Sequence, residues 1–330
     1  MSPAHITAVH PPRAIEGGRV TLLGDGFAID GPRLPEVHVQ DQPARVVFAS
    51  SKRLSIIVPP DLSGGSVAVR VATAHGETVF IEVAAPVARG LHQVDNPVID
   101  RDGNLYVTYS GARGQTVPVS IFRVSPSGAR ETFSSAVANP TSMAIDAGGR
   151  LYVSSRFEGT VYRVAEDGSA EPFATELGTA CGLAFAPDGT LFVGDRGGTI
   201  FSVDRFGRAT TFASLPPSMA AYHLALGRDA LYVTAPTLSP YDAVYRVDLD
   251  GTVAVHCQGF GRPQGLAFGP DGSLFVVEAL AGASGLYRLG ESGGMDLVLA
   301  APGLVGVAFD ALGGLAVCSS DTAFRLAHYA

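Results

Sequence analysis

Apolar runs alternate with tight-turn residues along most of this chain, and the alternation repeats. The run Gly182-Leu183-Ala184-Phe185 meets the turn Pro187-Asp188-Gly189 and resumes as Leu191-Phe192-Val193. Two short β-forming runs around a Pro-Asp-Gly turn predict a β-hairpin. The pattern returns almost unchanged over 265–276, with weaker copies over 97–107, 143–153, 224–233 and 307–317. Aligned on the leucine after the turn, the copies fall at Leu105, Leu151, Leu191, Leu231, Leu274 and Leu315, 40 to 46 residues apart. Each is followed by a third run such as Val161-Tyr162-Arg163-Val164 or Leu286-Tyr287-Arg288-Leu289. A glycine-led turn then opens a fourth, as in Gly207 to Phe212. Four short strands recurring at a period near 40 predict a β-propeller, here of six blades. A β-sandwich with accidental self-similarity is the competing fold, and six matches at this spacing disfavour it.

Residues 1–86 lack that repeat. Their apolar positions predict short strands over 6–9, 19–23, 36–39, 44–49, 53–58, 66–73 and 78–83, separated by Pro- and Gly-bearing turns. This is the pattern of an immunoglobulin-like β-sandwich. The chain therefore reads as all-β in two domains, a sandwich over 1–86 and a propeller over 87–330. The sixth repeat ends after three strands at Ala330, while residues 86–93 stand just ahead of the first. They are expected to supply the missing fourth strand and close the ring, which removes open sheet edges.

Composition narrows the function classes. The 330 residues carry 40 Gly and 22 Pro, in keeping with many tight turns, and a formal net charge of −8. An acidic balance argues against nucleic acid as a partner, because phosphate binding needs a basic surface. No apolar run approaches the roughly 18 residues of a membrane span. The start, Met1 to Ile6, shows no basic region followed by an apolar stretch. A cytoplasmic protein is expected from this, or a secreted or periplasmic one whose leader was removed. Cys181, Cys257 and Cys318 are an odd number at no metal-like spacing, which suggests buried free thiols in a reducing compartment.

Hairpin turns send both open ends of each hairpin to one face, so the residues before each inner strand and after each second strand converge on one end of the central channel. The first set is Asp95-Asn96, Thr141-Ser142, Cys181-Gly182, Tyr222-His223, Gln264-Gly265 and Val305-Gly306. The second includes Tyr109, Arg156, Asp195-Arg196, Glu278 and Asp321. These positions differ from repeat to repeat, which suggests individual roles. His223 stands where four other copies hold Ser or Gly. It reads either as a general base or metal ligand, or as a hydrogen-bonded filler of the channel. Glu278 is the carboxylate placed to act with it as an acid–base pair. Tyr222, Gln264, Arg156 and Asp195 are candidates for binding substrate. The alternative for Glu278 and Asp195 is a loop carboxylate paired with Arg156 or Arg196. Cys181 is expected to be a small buried hydrophobe rather than a nucleophile.

Resemblances sharpen these expectations. Ile6-Thr7-Ala8-Val9-His10-Pro11, Gly17 to Phe27, Ile56 to Pro60 and Gly64 to Val69 resemble an IPT/TIG domain, a family mostly of spacers and interaction modules. Residues 96–330 resemble the SMP-30/gluconolactonase-like and NHL-repeat propellers. Asp95-Asn96-Pro97-Val98 is similar to the motif whose acid binds the metal in that family. Arg262 to Phe268 is similar to the motif that supplies another ligand. The resemblance thus implies Asp95 and Gln264 as ligands of one divalent cation, Ca or Mg. The matching slots elsewhere hold Thr141, Cys181, Tyr222 and Val305, so only two ligands are placed for a cation that takes several oxygens. Gly269 to Glu278 also resembles the repeat of streptogramin lyases. The implied functions are hydrolysis of a small lactone or ester at the channel mouth, non-catalytic binding of a protein or glycan by an NHL-type module, or a lyase reaction.

Overall fold

A computed structural model describes residues 4–27, 29, 34–72, 78–280, 282, 284–290, 293–326 and 329. Every regular element among them is a strand or an isolated bridge. The N-terminal strands are His5–His10, Arg19–Asp25, Val37–Val39, Gln42–Ser50, Arg53–Ile57, Gly65–Val71 and Thr78–Val83. Each overlaps a strand expected from the sequence. Thr73, the expected end of the 66–73 strand, lies outside the described residues, as does Ala330. Alternation drives the packing. In Arg19–Asp25 the residues Val20, Leu22 and Gly24 are buried between partly or fully exposed neighbours. Val20 and Leu22 meet Val37, Val39, Leu54, Ile56, Val67 and Ile81 in one core. Burying each such aliphatic side chain contributes about 1.5–3 kcal/mol.

The remainder is a β-propeller. Five free-standing four-stranded sheets are found where six blades were expected. The strands of the fifth repeat, Pro263–Phe268, Leu274–Glu278, Gly285–Leu289 and Met295–Ala300, end a twelve-stranded sheet that runs on into the sandwich. The splice is a two-residue strand that the sequence reading did not include, Arg13–Ala14. It pairs in parallel with Thr78–Val83 on one side and with Met295–Ala300 on the other. Gly18 is required beside it, because a Cβ there would collide with the Ala300 carbonyl oxygen. Arg13 adds a bond from Nη2 to the Tyr329 carbonyl oxygen, 2.6 Å, and lies 4.6 Å from that ring's centroid.

The inner strands form a closed ring. Each packs against the inner strands of the repeats before and after it, and that of the first repeat packs against that of the sixth. Closure uses the segment just after the sandwich. Ala85–Arg89 pairs antiparallel with Thr322–Leu326, placing Ala88 opposite Ala323 and Pro86 opposite Phe324. The sequence-based boundary at 86/87 falls inside this strand. At the far face the hairpins turn as expected. The Asp188 carboxylate accepts the Thr190 N–H (2.9 Å), and Gly189 takes a φ of 90° that β-branched residues resist.

Phe324 is 2% exposed and packs among Phe275, Leu299, Leu304 and Leu315. Phe324→Ala is expected to lower the unfolding free energy by about 3–5 kcal/mol in a urea titration. Backbone amides of Ala85–Arg89 are expected to exchange as slowly as those of Thr322–Leu326. Fast exchange in 85–89 alone would show that the ring closes elsewhere.

Candidate functional site

The channel is closed at its core by side chains that cross between repeats. Gly182 and Gly306 lie against the neighbouring backbone, where an added Cβ would stand 2.5 Å from the carbonyl oxygens of Tyr222 and Asp95. Asn96 exploits this close approach. Its Nδ2 donates to the Leu266 carbonyl oxygen (2.8 Å) and its Oδ1 accepts from the Val307 N–H (2.9 Å), clamping the fifth and sixth repeats to the first. Ser154 Oγ donates to the Cys181 carbonyl (2.6 Å) and Thr234 Oγ1 to that of Gln264 (2.5 Å), each reaching the following repeat.

His223 spans the ring. It opens the inner strand His223–Leu226 of the fourth repeat and reaches Asp95, which precedes the first repeat. Nδ1 lies 2.5 Å from Asp95 Oδ1, and the two residues are 0% and 1% exposed. The same oxygen accepts the Asn96 N–H at 2.7 Å, so the imidazole donates from Nδ1. Gln93 backs the pair, giving its Nε2–H to the Asp95 carbonyl (2.8 Å) and accepting the Thr108 N–H (2.7 Å). His223 Nε2 is buried without a partner among the described residues.

Above this floor lies a cavity of about 310 Å³, lined among others by His92, Arg156, Cys181, Arg196, Met219 and Gln264. The floor pair itself does not reach it, although its neighbours Val94 and Ala221 do. Neither arginine has a carboxylate within ion-pair reach among the described residues. Arg156 Nη2 touches the Gly111 carbonyl at 3.3 Å and Arg196 Nε that of Ser218 at 3.4 Å, both long bonds. Burial, with smaller contributions from Arg196 and Arg113, pulls the Arg156 pKa below its ordinary value. Burial and then Arg156 do the same to His92. Burial pushes the Cys181 thiol up to about 12, as befits a small buried hydrophobe.

The expected site residues are thus divided. Gln264 and Arg156 line the cavity. Asp95 and His223 lie together beneath it. Tyr222 is buried beside them, its hydroxyl donating to the Pro216 carbonyl, and burial raises its pKa. Glu278 stands apart, with its carboxylate accepting the backbone N–H groups of Gly261 (2.7 Å), Arg262 (2.9 Å) and Leu280 (2.6 Å). Asp195 similarly accepts the Thr179 N–H at 2.7 Å. The alternative pairing of these carboxylates with Arg156 or Arg196 is not found among the described residues. His92 and Met219 are lining residues that the sequence reading omitted. Neither has a counterpart in the repeat alignment, and only the position of His92 within the ring-closing segment pointed to it.

The donors do not fit the divalent cation that the resemblance implies. Asp95 Oδ1 is taken by His223 and Asn96, and Gln264 belongs to the cavity above. Among the described residues no three His, Cys, Asp or Glu side chains cluster as a metal site.

Comparison with known proteins places the fold. The family model of the IPT/TIG domain matches residues 4–80. No curated protein matches the chain by sequence. Among solved structures, an auxiliary nutrient binding protein from Bacteroides thetaiotaomicron is similar over 98% of both chains, with 14% identity and a TM-score of 0.57. A gluconolactonase from Xanthomonas campestris is similar over 90% of this chain and 99% of its own, with 15% identity and a TM-score of 0.63. A virginiamycin B lyase from Staphylococcus aureus covers 93% and 99%, with 16% identity and a TM-score of 0.52. Identities this low establish a shared fold alone.

Two measurements check the floor. Removing either partner of a buried pair leaves the other uncompensated, so His223→Ala and Asp95→Ala are each expected to cost about 3–5 kcal/mol in urea unfolding. Unchanged stability would free the pair for a role other than holding the ring. At pH 8 a thiol with a pKa of about 12 stays protonated, so Cys181 should resist a chromogenic disulfide reagent until the protein is unfolded. Rapid labelling of native Cys181 would show an open floor.

Proposed function

We propose that the chain is a non-catalytic binding module, a six-bladed propeller whose fifth blade is fused to an IPT/TIG spacer and whose mouth holds a small anionic molecule. The observation that carries this reading is the charge arrangement at the mouth. The carboxylates of Asp195 and Glu278 are bound to backbone N–H groups, whereas Arg156 and Arg196 face a cavity without an anionic partner. Arg156, half-buried, and Arg196, exposed, each hold one long, weak side-chain bond, which leaves donors free for a carboxylate or phosphate, a group that guanidinium takes in bidentate fashion. Similarity to the nutrient binding protein over 98% of both chains supports a binding role.

A gluconolactonase-like hydrolysis is the second reading, favoured by the orientation of His223 by Asp95, which leaves Nε2 without a donor. In this reading the imidazole accepts a proton at Nε2 from an attacking water while Asp95 holds Nδ1–H. That needs solvent access to the buried Nε2, which does not line the cavity. The binding reading needs none.

Calorimetric titration with gluconate, glucuronate and inorganic phosphate, with glucose as the neutral control, tests the proposal. Anions are expected to bind and glucose not. Arg156→Ala and Arg196→Ala are each expected to weaken binding about 10- to 100-fold, the worth of a charge-assisted hydrogen bond. Turnover of a δ-lactone or an aryl ester that disappears in His223→Gln would overturn it in favour of the hydrolase.

A further inference from the structure

Large apolar side chains crowd the same face as the unpaired arginines. Phe157 follows Arg156 directly, is 49% exposed and leans on the loop of the first repeat, its ring 3.2 Å from where a Cβ of Gly114 would stand. Met219 lines the cavity and is 57% exposed. Beside it the loop between Ala230–Thr234 and Asp242–Asp248 presents Leu238 and Tyr241, 85% and 72% exposed. This loop is braced. Asp242 accepts the Thr237 N–H (2.9 Å) and hydroxyl (2.6 Å), and the Pro236 carbonyl accepts from Met219 N–H and Ser218 Oγ, both at 2.9 Å. On the opposite face, exposed Phe206, Leu249 and Leu312 sit one to a turn in three different repeats. At the mouth, by contrast, the loop that carries Leu238 and Tyr241 is bonded to the connecting segment that carries Met219, and Met219 and Arg196 line one cavity.

An apolar shelf continuous with a cationic recess is complementary to a molecule that is acidic at one end and apolar at the other. The cavity lies at the small end of the range of ligand pockets, which suits an acid group and a short body more than a protein surface. Resting on the reading of the mouth as an anion-binding site, we infer that its ligand is an amphipathic organic acid. Its carboxylate lies between Arg156 and Arg196, and its apolar body lies along Met219 and the shelf of Leu238 and Tyr241. The arginines supply affinity for any small anion. The shelf selects those with an apolar body, because each methylene moved from water onto it adds a few-fold in affinity.

Titration of the full chain with acetate, hexanoate, octanoate and octanamide tests this. Affinity is expected to rise from acetate to octanoate by more than tenfold, with octanamide at least tenfold weaker than octanoate. Leu238→Ser, at an exposed position outside the cavity lining whose variant should melt as the parent does, is expected to weaken octanoate about fivefold and leave phosphate binding unchanged, and Met219→Ser is expected to weaken octanoate about as much. Arg156→Ala weakens both. Phosphate and acetate binding with no gain for octanoate would overturn the amphipathic ligand and leave the anion site standing. Failure of every anion to bind would overturn the anion site itself. Equal binding of octanamide and octanoate, or octanoate binding indifferent to both serine variants, would also overturn the inference. So would binding of a peptide with a C-terminal leucine in place of octanoate, which would assign the shelf to a polypeptide.

Discussion

The sheets of a propeller can surround a common axis only if their inner strands come within backbone contact, and the rest of this structure follows from that crowding. Gly182, Gly265 and Gly306 permit it, because a Cβ at any of them would stand inside a neighbouring repeat. Side chains that remain at the axis must then bond across it. Asn96 and the pair His223–Asp95 do so, tying the first repeat to the fourth, fifth and sixth. The bonds these groups make to one another offset much of the cost of removing them from water, His223 Nε2 excepted, so the axis is both a seal and a set of constraints on register.

The seal divides the chemistry by depth. A histidine oriented by an aspartate is the arrangement of a general base, yet here both residues are buried outside the cavity lining and their partners belong to the ring. The groups that do face the cavity are cationic or neutral. Carboxylates at the mouth are present but engaged, since Glu278 and Asp195 satisfy backbone N–H groups at the ends of their strands that would otherwise be orphaned. On a chain of net charge −8, the charged side chains that line the recess are thus arginines, while the acids Glu278 and Asp195 turn to backbone amides.

The sandwich is attached by the same currency of backbone pairing. Arg13–Ala14 inserts between the last strand of the sandwich and the outer strand of the fifth repeat, so the edge strand of that blade is covered rather than exposed. A continuous twelve-stranded sheet holds the two domains with paired amides, Ile15 N–H to the Ala300 carbonyl (3.0 Å) among them.

By itself the sequence determined the all-β class, the repeat and the place of each hairpin, because these depend on local alternation and on turn residues such as Asp188 and Gly189. It also placed the start of the ring-closing strand within one residue and its end within four, since a repeat lacking one strand at one end and a surplus segment at the other admit few solutions. Local signals did not reveal Arg13–Ala14, whose pairing partner lies almost 290 residues away and whose two residues carry no periodicity. Nor did they reveal the state of the site. Glu278 and Asp195 are identical in sequence terms to free acids, and only the positions of the Gly261, Arg262, Leu280 and Thr179 amides decide otherwise. His223 was conspicuous by its size in a ring of small residues, but its depth below the cavity and its bond to Asp95 are products of six repeats meeting at one axis. Burial and hydrogen-bond partnership are properties of the closed ring, and they fix what each polar residue can do.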